Sequence, residues 1–353
     1  MNRTIRRIFP CEDPKWDSYI TSHPMGSLYH HSLWEKVLEE TYGYEPFYLA
    51  SLEEEEGIQG VLPLFLVKSS FTGNRLVSLP FSNVCGPLGN SPSIVYDLVK
   101  AAKTLAVDHQ CKYLELRTQG DLNGIEELSF HRTNSFYNSH VNLTKDPKTV
   151  WSNFRDRNLR TEIRKALRMG VEVQMYSGGE HLKEFYTLLT KTRRKHGVPP
   201  QPFSFFTNLW RIFHSENSIR LLLASYQGKI IVGLILLIFR NTVIAAYIGS
   251  EDHYLPLRPH QLIYWKAMEW GCNSGFQSFD FLRTAKENEG LLYFKQRWGS
   301  QEKEIPYFSF PRPRGITSLH EKNLPYRVTT ALWRRMPTFL IPWCGKVLYR
   351  HFG

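Results

Sequence analysis

At 353 residues the chain has room for roughly two domains of about 150 residues each. Its 42% hydrophobic and 14% aromatic content supports a sizeable core and excludes wholesale disorder. The formal charge of +11 selects anionic partners: phosphates, nucleic acid or an anionic membrane face.

The opening MNRTIRRIFP is basic but has no apolar h-region, so it does not read as a signal peptide. Cys11, Cys85, Cys111, Cys272 and Cys344 are scattered, odd in number and free of CxxC spacing. That pattern speaks against zinc sites and disulfide frameworks and fits a reducing cytoplasm. No HExxH occurs among the thirteen histidines, so no metal site is expected.

In chain order, SLWEKVLEETYG (Ser32 to Gly43) predicts a helix, with Ser32 as its N-cap and Gly43 as its stop. EPFYLASL and IQGVLPLFLV, joined by the acidic turn EEEEG, predict a hairpin. LVKAAKTLAVDHQ then reads as a helix and KYLELR (Lys112 to Arg117) as a strand. A boundary falls near NLTKDPKTV, where Asp146 can cap a helix whose first turn takes Pro147.

Beyond the boundary, Arg160, Arg164 and Arg168 recur every four residues on a predicted helix whose Val150, Phe154, Ile163 and Leu167 can face a core. Arg155, Arg157 and Lys165 widen this basic stripe, opposed by Asp156 and Glu162. The stripe is either a solvated helix face or a phosphate-facing surface, since guanidinium groups hold phosphate bidentately.

HLKEFYTLLTKTRRKHG predicts the next helix, and IRLLLASY, IIVGLILLIF and TVIAAYIGS predict a strand meander. IIVGLILLIF (Ile230 to Phe239) is the longest apolar run, half the ~20 residues that span a bilayer, so it reads as a buried strand. HQLIYWKAMEWGCNSG is a helix and FQSFDFLR (Phe276 to Arg283) a strand.

The two halves thus share one order: helix, hairpin strands, helix, strand. IQGVLPLFL resembles IVGLILLIF, and YLELR resembles FDFLR. We read two related α/β (α+β) units with mixed sheets flanked by helices, at 1–145 and 146–311. A basic aromatic tail follows at 312–353, with eight Lys/Arg and one acid, Glu321. Its cations and aromatics suit either a membrane interface or the protein's own surface.

That order of elements resembles the GNAT-type acyltransferase (acyl-CoA N-acyltransferase) fold. Two tandem copies, with RNLRTEIRKALRMGVEV, YIGSEDHYLPLRPHQLIYWKAMEWG and FDFLRTAKENEGLLYFKQRWGS, resemble the FemAB family of peptidoglycan-bridge aminoacyltransferases, over about residues 25 to 310. Within that family the sequence looks closest to the branch found beside exopolysaccharide and exosortase loci.

The resemblance implies a cytoplasmic, monomeric acyltransferase acting on an amine of a cell-wall or exopolysaccharide precursor, with peripheral contact at the inner membrane face. The donor would be aminoacyl-tRNA or acyl-CoA, with no permanently bound cofactor. The acceptor would be a lipid- or nucleotide-linked sugar. GNAT enzymes hold coenzyme A pyrophosphate on a glycine-rich loop, but the matching stretch here, Arg258-Pro259-His260-Gln261-Leu262, lacks both glycines.

The family's Phe-Lys pair, three residues before an aromatic-Gly, is matched by Phe294-Lys295 before Trp298-Gly299. Lys295 is therefore the candidate cation for a developing oxyanion, framed by Phe294 and Trp298. Asp280, inside an aromatic strand, either pairs with Arg283 or Lys295 or does acid/base work on an amine. Tyr247 and His260 are substrate-side candidates, or else a core tyrosine and a capping histidine.

One departure stands out. Where the family often places a phosphate-binding lysine three residues after a tryptophan, Trp34 is followed by Val37, with Lys36 one position off. Two rival functions stay open: an acetyl-CoA-dependent polysaccharide N- or O-acyltransferase, and a non-catalytic RNA- or membrane-binding protein on a GNAT scaffold.

Overall fold

The computed structural model describes residues 3–54, 57–69, 73–312, 349 and 351. Its described residues divide into two compact units, one of residues up to Phe136 together with those from Glu304 onward, the other of Tyr137–Lys303. The sequence places the boundary at the helix cap, Asp146, whereas the units divide earlier, inside a strand. Nearly all of the 312–353 tail lies outside the described residues.

The first unit runs β1 (Arg3–Ile8), α1 (Pro14–Ser22), α2 (Ser32–Tyr42), β2 (Glu45–Pro46), β3 (Tyr48–Glu53), β4 (Gly57–Leu62) and β5 (Phe65–Val67). It continues through β6 (Arg75–Val77), β7 (Leu88–Gly89), α3 (Pro92–Asp108), β8 (Leu114–Arg117) and β9 (His131–Asn142), which crosses into the second unit. The second unit has α4 (Pro147–Ser152), α5 (Arg157–Arg168), β10 (Val171–Tyr176), α6 (Leu182–Lys195), α7 (Phe203–Ser215), β11 (Ile219–Tyr226), β12 (Lys229–Phe239) and β13 (Thr242–Ser250). It ends with α8 (Pro259–Asn273), β14 (Ser278–Ala285) and α9 (Glu289–Gln296), and β15 (Gln301–Phe310) returns to the first.

In the first unit β1, β3, β4 and β7 form one sheet, while β2, β5, β6 and β8 line up in another that the end of β15 joins. The expected hairpin is β3 and β4, antiparallel from Leu49↔Leu62 to Glu53↔Gly57. α3 covers its sheet through Ile94, Leu98, Val99 and Ala102, all in one apolar cluster with Leu62, Leu114 and Leu116. Gly43 ends α2 at φ 65, as expected, but His31 caps its start and Ser32 is already helical. The Ser32 hydroxyl is held instead by Asp17.

In the second unit β10, β11, β12 and β13 pair antiparallel in sequence order, and α8 carries the chain over to β14, which runs parallel to β13. Asp146 caps α4 and Pro147 fills its first turn, as the sequence predicts. Val150, Phe154 and Ile163 are buried in the core. Leu167, expected inside, is 49% exposed, because helical spacing puts it beside the buried Leu159, Ile163 and Ala166 face and not on it. α7 is the element that the sequence reading passed over. Its Phe205, Phe206, Leu209, Trp210 and Phe213 are all buried, so helical spacing is hidden in a nearly continuous apolar run.

β13 is packed against α6 with no room to spare. A Cβ on Gly249 would lie 2.3 Å from the Leu189 nitrogen and 2.6 Å from the Leu188 carbonyl carbon, both backbone atoms that cannot swing aside. Gly249→Ala should therefore overpack this contact at a cost of about 1–3 kcal/mol. Thermal unfolding of the full chain should show a clearly lowered midpoint, whereas Gly120→Ala, in open space and without a left-handed backbone, should cost much less.

Candidate active site

The site is built on the seam between β13 and β14. Their parallel pairing covers only Thr242–Ile244 against Ser278–Asp280, although the strands run on to Ser250 and Ala285. Beyond Ile244 the two strands are no longer bonded. β13 is also irregular here, since its register against β12 shifts so that Ile235 faces Tyr247 and Leu236 faces Ala245. The segment Ala245–Ile248 is half-buried along this unpaired edge.

β14 obeys simple alternation at first: Phe279 and Phe281 are buried, and Ser278 and Asp280 are partly open. Then it breaks. Leu282 lies in the left-handed region at φ 62, Leu282 and Arg283 are both half-buried, and burial resumes at Thr284. A left-handed leucine is strained unless its surroundings fix it. Here two side chains hold its peptide groups. The Leu282 N–H donates to Asp280 Oδ1 at 2.7 Å. The Leu282 carbonyl accepts from Lys295 Nζ at 2.6 Å, and the Arg283 carbonyl lies 3.5 Å from the same nitrogen.

Asp280 Oδ1 also accepts from Asn138 Nδ2 at 3.0 Å. Both bonds fall on one oxygen, so Oδ2 keeps its lone pairs. The sequence offered Arg283 or Lys295 as an ion-pair partner for Asp280. The hydrogen-bond partners are instead Asn138 and the Leu282 amide, while Lys295 acts through space. Burial pushes the Asp280 carboxyl up, and the Leu282 and Asn138 hydrogen bonds, Lys295 and His140 oppose that shift. Lys295 is only 4% exposed. Burial lowers its ammonium from an ordinary 10.5 to about 8, against the attraction of Asp280 and Glu302.

The rest of YFKQRWGS serves the framework. Trp298 is fully buried against Phe154, Tyr264, Phe281 and Phe294, so it lines the core and not a ligand wall. Phe294 packs on Tyr264 and Trp298 and is half-buried. Arg297 is held at 2.6 Å by both Asp156 and Glu162, tying α9 to the start of α5. Gly299, at φ 76, lets the chain pass the Asn153 carbonyl, 2.6 Å from where a Cβ would stand.

The remaining candidates are spread over the unit. Tyr247 packs edge-on against Phe205 and Phe206 of α7. His260 sits in the first turn of α8, where burial lowers its imidazole to about 4, so it is neutral at pH 7. In the basic stripe, Arg160 donates to the carbonyls of Trp151, Ser152 and Phe154 and so closes the end of α4. Arg164 lies over the Trp151 ring at 5.6 Å. Arg168 is exposed at the end of α5. In the first unit Trp34 and Val37 are fully buried and Lys36 is exposed, so no cation occupies the position three residues after the tryptophan.

The sequence reading missed two features. Asn138 looked like an ordinary strand residue, and only the fold brings it to Asp280. At the end of β13 a cleft of about 560 Å³ is lined by Lys191, Arg194, Lys195, Ser250, Glu251 and Asp252. Lys191 pairs with Glu251, and Lys195 with Asp252 at 2.8 Å. The signal was present in KTRRKHG, which read only as a helix end.

Residues 152–296 match the family described as "Acetyltransferase (GNAT) domain". The chain is similar in part to peptidoglycan alanyltransferases. Over 162 residues it is 24% identical to a UDP-N-acetylmuramoylpentapeptide-lysine N(6)-alanyltransferase from Weissella viridescens, covering 45% of this chain and 47% of the relative. It thus spans about half the length of the curated relative it matches. The solved structure of FemX superposes with a TM-score of 0.68 at 17% identity, over 87% of this chain and 97% of that one. A tandem GNAT protein from the clavulanic acid biosynthesis pathway superposes at 0.56 and 10% identity, over 89% and 100% of the two chains. These likenesses establish two tandem GNAT units as the fold of this chain.

The depressed ammonium of Lys295 has a signature in stability. Above its ordinary 10.5 neither state carries the proton, and below about 8 both do. Between them the unfolded chain binds a proton that the folded one does not, so this group adds stability as pH rises through the window. The gain amounts to about 3 kcal/mol at 1.36 kcal/mol per pH unit. Urea unfolding of wild type and Lys295→Met between pH 7.5 and pH 10.5 should show this rise in wild type relative to the variant. Parallel pH profiles would mean that Lys295 is solvated in the folded state.

Proposed function

We propose that the chain transfers an aminoacyl group from aminoacyl-tRNA to an amine of a cell-wall or exopolysaccharide precursor. The observation that carries this reading is the arrangement at Leu282. One carboxylate oxygen, Asp280 Oδ2, has no hydrogen bond among the described residues, and a buried ammonium stands nearby where strand pairing stops. The tandem GNAT fold and the relative's name, an alanyltransferase acting on a lysine N(6), support the choice of acyl group and acceptor amine.

In this reading the acceptor amine attacks the ester carbonyl carbon of the donor, and Asp280 Oδ2 takes the proton that the nitrogen sheds. Burial makes Asp280 a better base than an ordinary carboxylate. The carbonyl oxygen becomes an oxyanion facing Lys295. Nζ spends hydrogen bonds on the Leu282 and Arg283 carbonyls, which orient it and leave a third N–H for the oxyanion. The ester C–O bond then breaks, the proton passes to the departing ribose oxygen, and an amide remains. No permanently bound cofactor is called for. Tyr247, Phe294 and His260 are assigned to the substrate side, His260 as a neutral group.

Coenzyme A is the less favoured donor. Arg258 holds the left-handed position that precedes α8, Pro259 lacks an N–H, and the Arg258 guanidinium faces Glu162 at 3.7 Å. Calorimetry should find coenzyme A binding no tighter than about millimolar. Micromolar binding would move the reading to an acetyl-CoA-dependent acyltransferase.

Transfer of a labelled amino acid from charged tRNA to a precursor extract tests the assignment of residues. Lys295→Met should lower the rate about 10²–10³-fold while the chain still folds. Lys295→Arg should rescue poorly, because a planar fork does not fit a point-charge position. Asp280→Asn, which keeps the shape but cannot take a proton, should cost about 10²–10⁴-fold. Wild-type rates in Lys295→Met would leave Lys295 as a structural clamp on β14 alone.

A further inference from the structure

We propose that His140 carries away the proton that the acceptor ammonium must lose before it can attack. This inference deepens the acyl-transfer reading and rests on it. β9 and β14 are neighbours in one sheet. The Leu143 N–H donates to the Gln277 carbonyl at 2.8 Å, and Asn138 reaches Asp280 at 3.0 Å. Residue numbers therefore fall along β9 as they rise along β14, and the strands are antiparallel here. Counted from the Leu143–Gln277 pair, His140 stands directly opposite Asp280. Side chains opposed in this way start about 4.5–5.5 Å apart at Cβ, which brings an imidazole within reach of a carboxylate, directly or through one water. Asn138 and His140 alternate with buried Ser139 and so project from the same face of β9.

The His140 imidazole and the Asp280 carboxylate attract each other through space, as Lys295 and Asp280 do. His140 makes no side-chain hydrogen bond or ion pair with a fixed partner among the described residues. It is half-buried, so one edge of the ring meets Asp280 while another meets water.

The proton count of the reaction requires such a group. An alkyl amine with an ordinary pKa of about 10.4 is almost wholly ammonium at neutral pH. It sheds one proton to gain a lone pair and a second as the new C–N bond forms. Ammonium and ester thus become amide, alcohol and one free proton. Asp280 Oδ2 returns the second proton to the departing ribose oxygen. The first has to leave the site, or Asp280 would already be protonated when the attack begins. Asp280 passes it to the neutral imidazole, which has one acceptor nitrogen, and His140 releases it to water. Lys295 cannot serve, because below about 8 it is an ammonium without a lone pair. His260 responds to Asp252 and Lys195 at the start of α8 and not to Asp280.

Transfer of labelled alanine from charged tRNA by the full chain tests the relay with two acceptors. One is the precursor extract, whose alkyl amines are ammonium ions. The other is hydroxylamine, which is uncharged at neutral pH and needs no first deprotonation; its enzyme-free rate is subtracted. His140→Ala and His140→Gln should slow transfer to the alkyl amine by about 10²-fold and transfer to hydroxylamine much less. Added imidazole should restore rate to His140→Ala, which leaves room for it, and not to His140→Gln. In proton NMR the titration of His140 should move to lower pH in Asp280→Asn, since the carboxylate stabilises the imidazolium. Thermal melting confirms that each variant is folded.

Equal losses with the two acceptors, or wild-type rates in His140→Gln, overturn the relay while Asp280→Asn stays slow with both acceptors. A His140 titration that does not respond to Asp280→Asn overturns the pairing itself. Wild-type transfer by Asp280→Asn overturns the acyl-transfer assignment, and the relay with it.

Discussion

Everything at the candidate site hangs on one peptide unit. Leu282 is held in a left-handed conformation that a leucine avoids, with its N–H taken by Asp280 and its carbonyl by Lys295. Together these two bonds fix a left-handed residue in β14 where regular alternation breaks. That residue in turn sets where the carboxylate and the ammonium stand. Each group is needed by the backbone, and each has capacity left over: an oxygen on Asp280 and an N–H on Lys295. Strain, positioning and chemical capacity therefore share the same atoms.

The supporting layers explain why this arrangement stays put. α9 delivers Lys295, and α9 is anchored by Arg297 on two carboxylates of α5's first half and by Trp298 inside the core. Asn138 of β9 holds Asp280 from the other side. A buried lysine and a half-buried aspartate are each costly to desolvate, and their through-space attraction offsets part of that cost. The same Arg297 contacts have a second effect at a distance from the seam. By occupying the acids near the start of α5 they leave the outer face of that helix uniformly cationic.

The sequence by itself determined the order of elements, the tandem GNAT plan and most helix and strand positions. Local signals fix these: Asp146 before Pro147, Gly43 after α2, β-branched runs in β11 to β13, and period-two burial at Phe279 and Phe281. It also made Lys295 and Asp280 conspicuous, because charged groups between aromatic neighbours demand partners. α7 escaped because its apolar residues are too dense to show a period.

Only the tertiary structure decided what those groups do. Asn138 and Asp280 lie far apart in sequence and meet through packing beside β14, which no local pattern records. Trp298 and Arg297 have the residue types of a ligand wall, yet core packing and two carboxylates claim them. The same holds for Arg160, whose guanidinium closes the end of α4 and leaves the outer residues of the stripe to face solvent. Sequence fixes which groups carry charge. Whether a charge is spent inside the fold or left available depends on three-dimensional neighbours, because desolvation and hydrogen bonding act over a few ångströms of space and not along the chain.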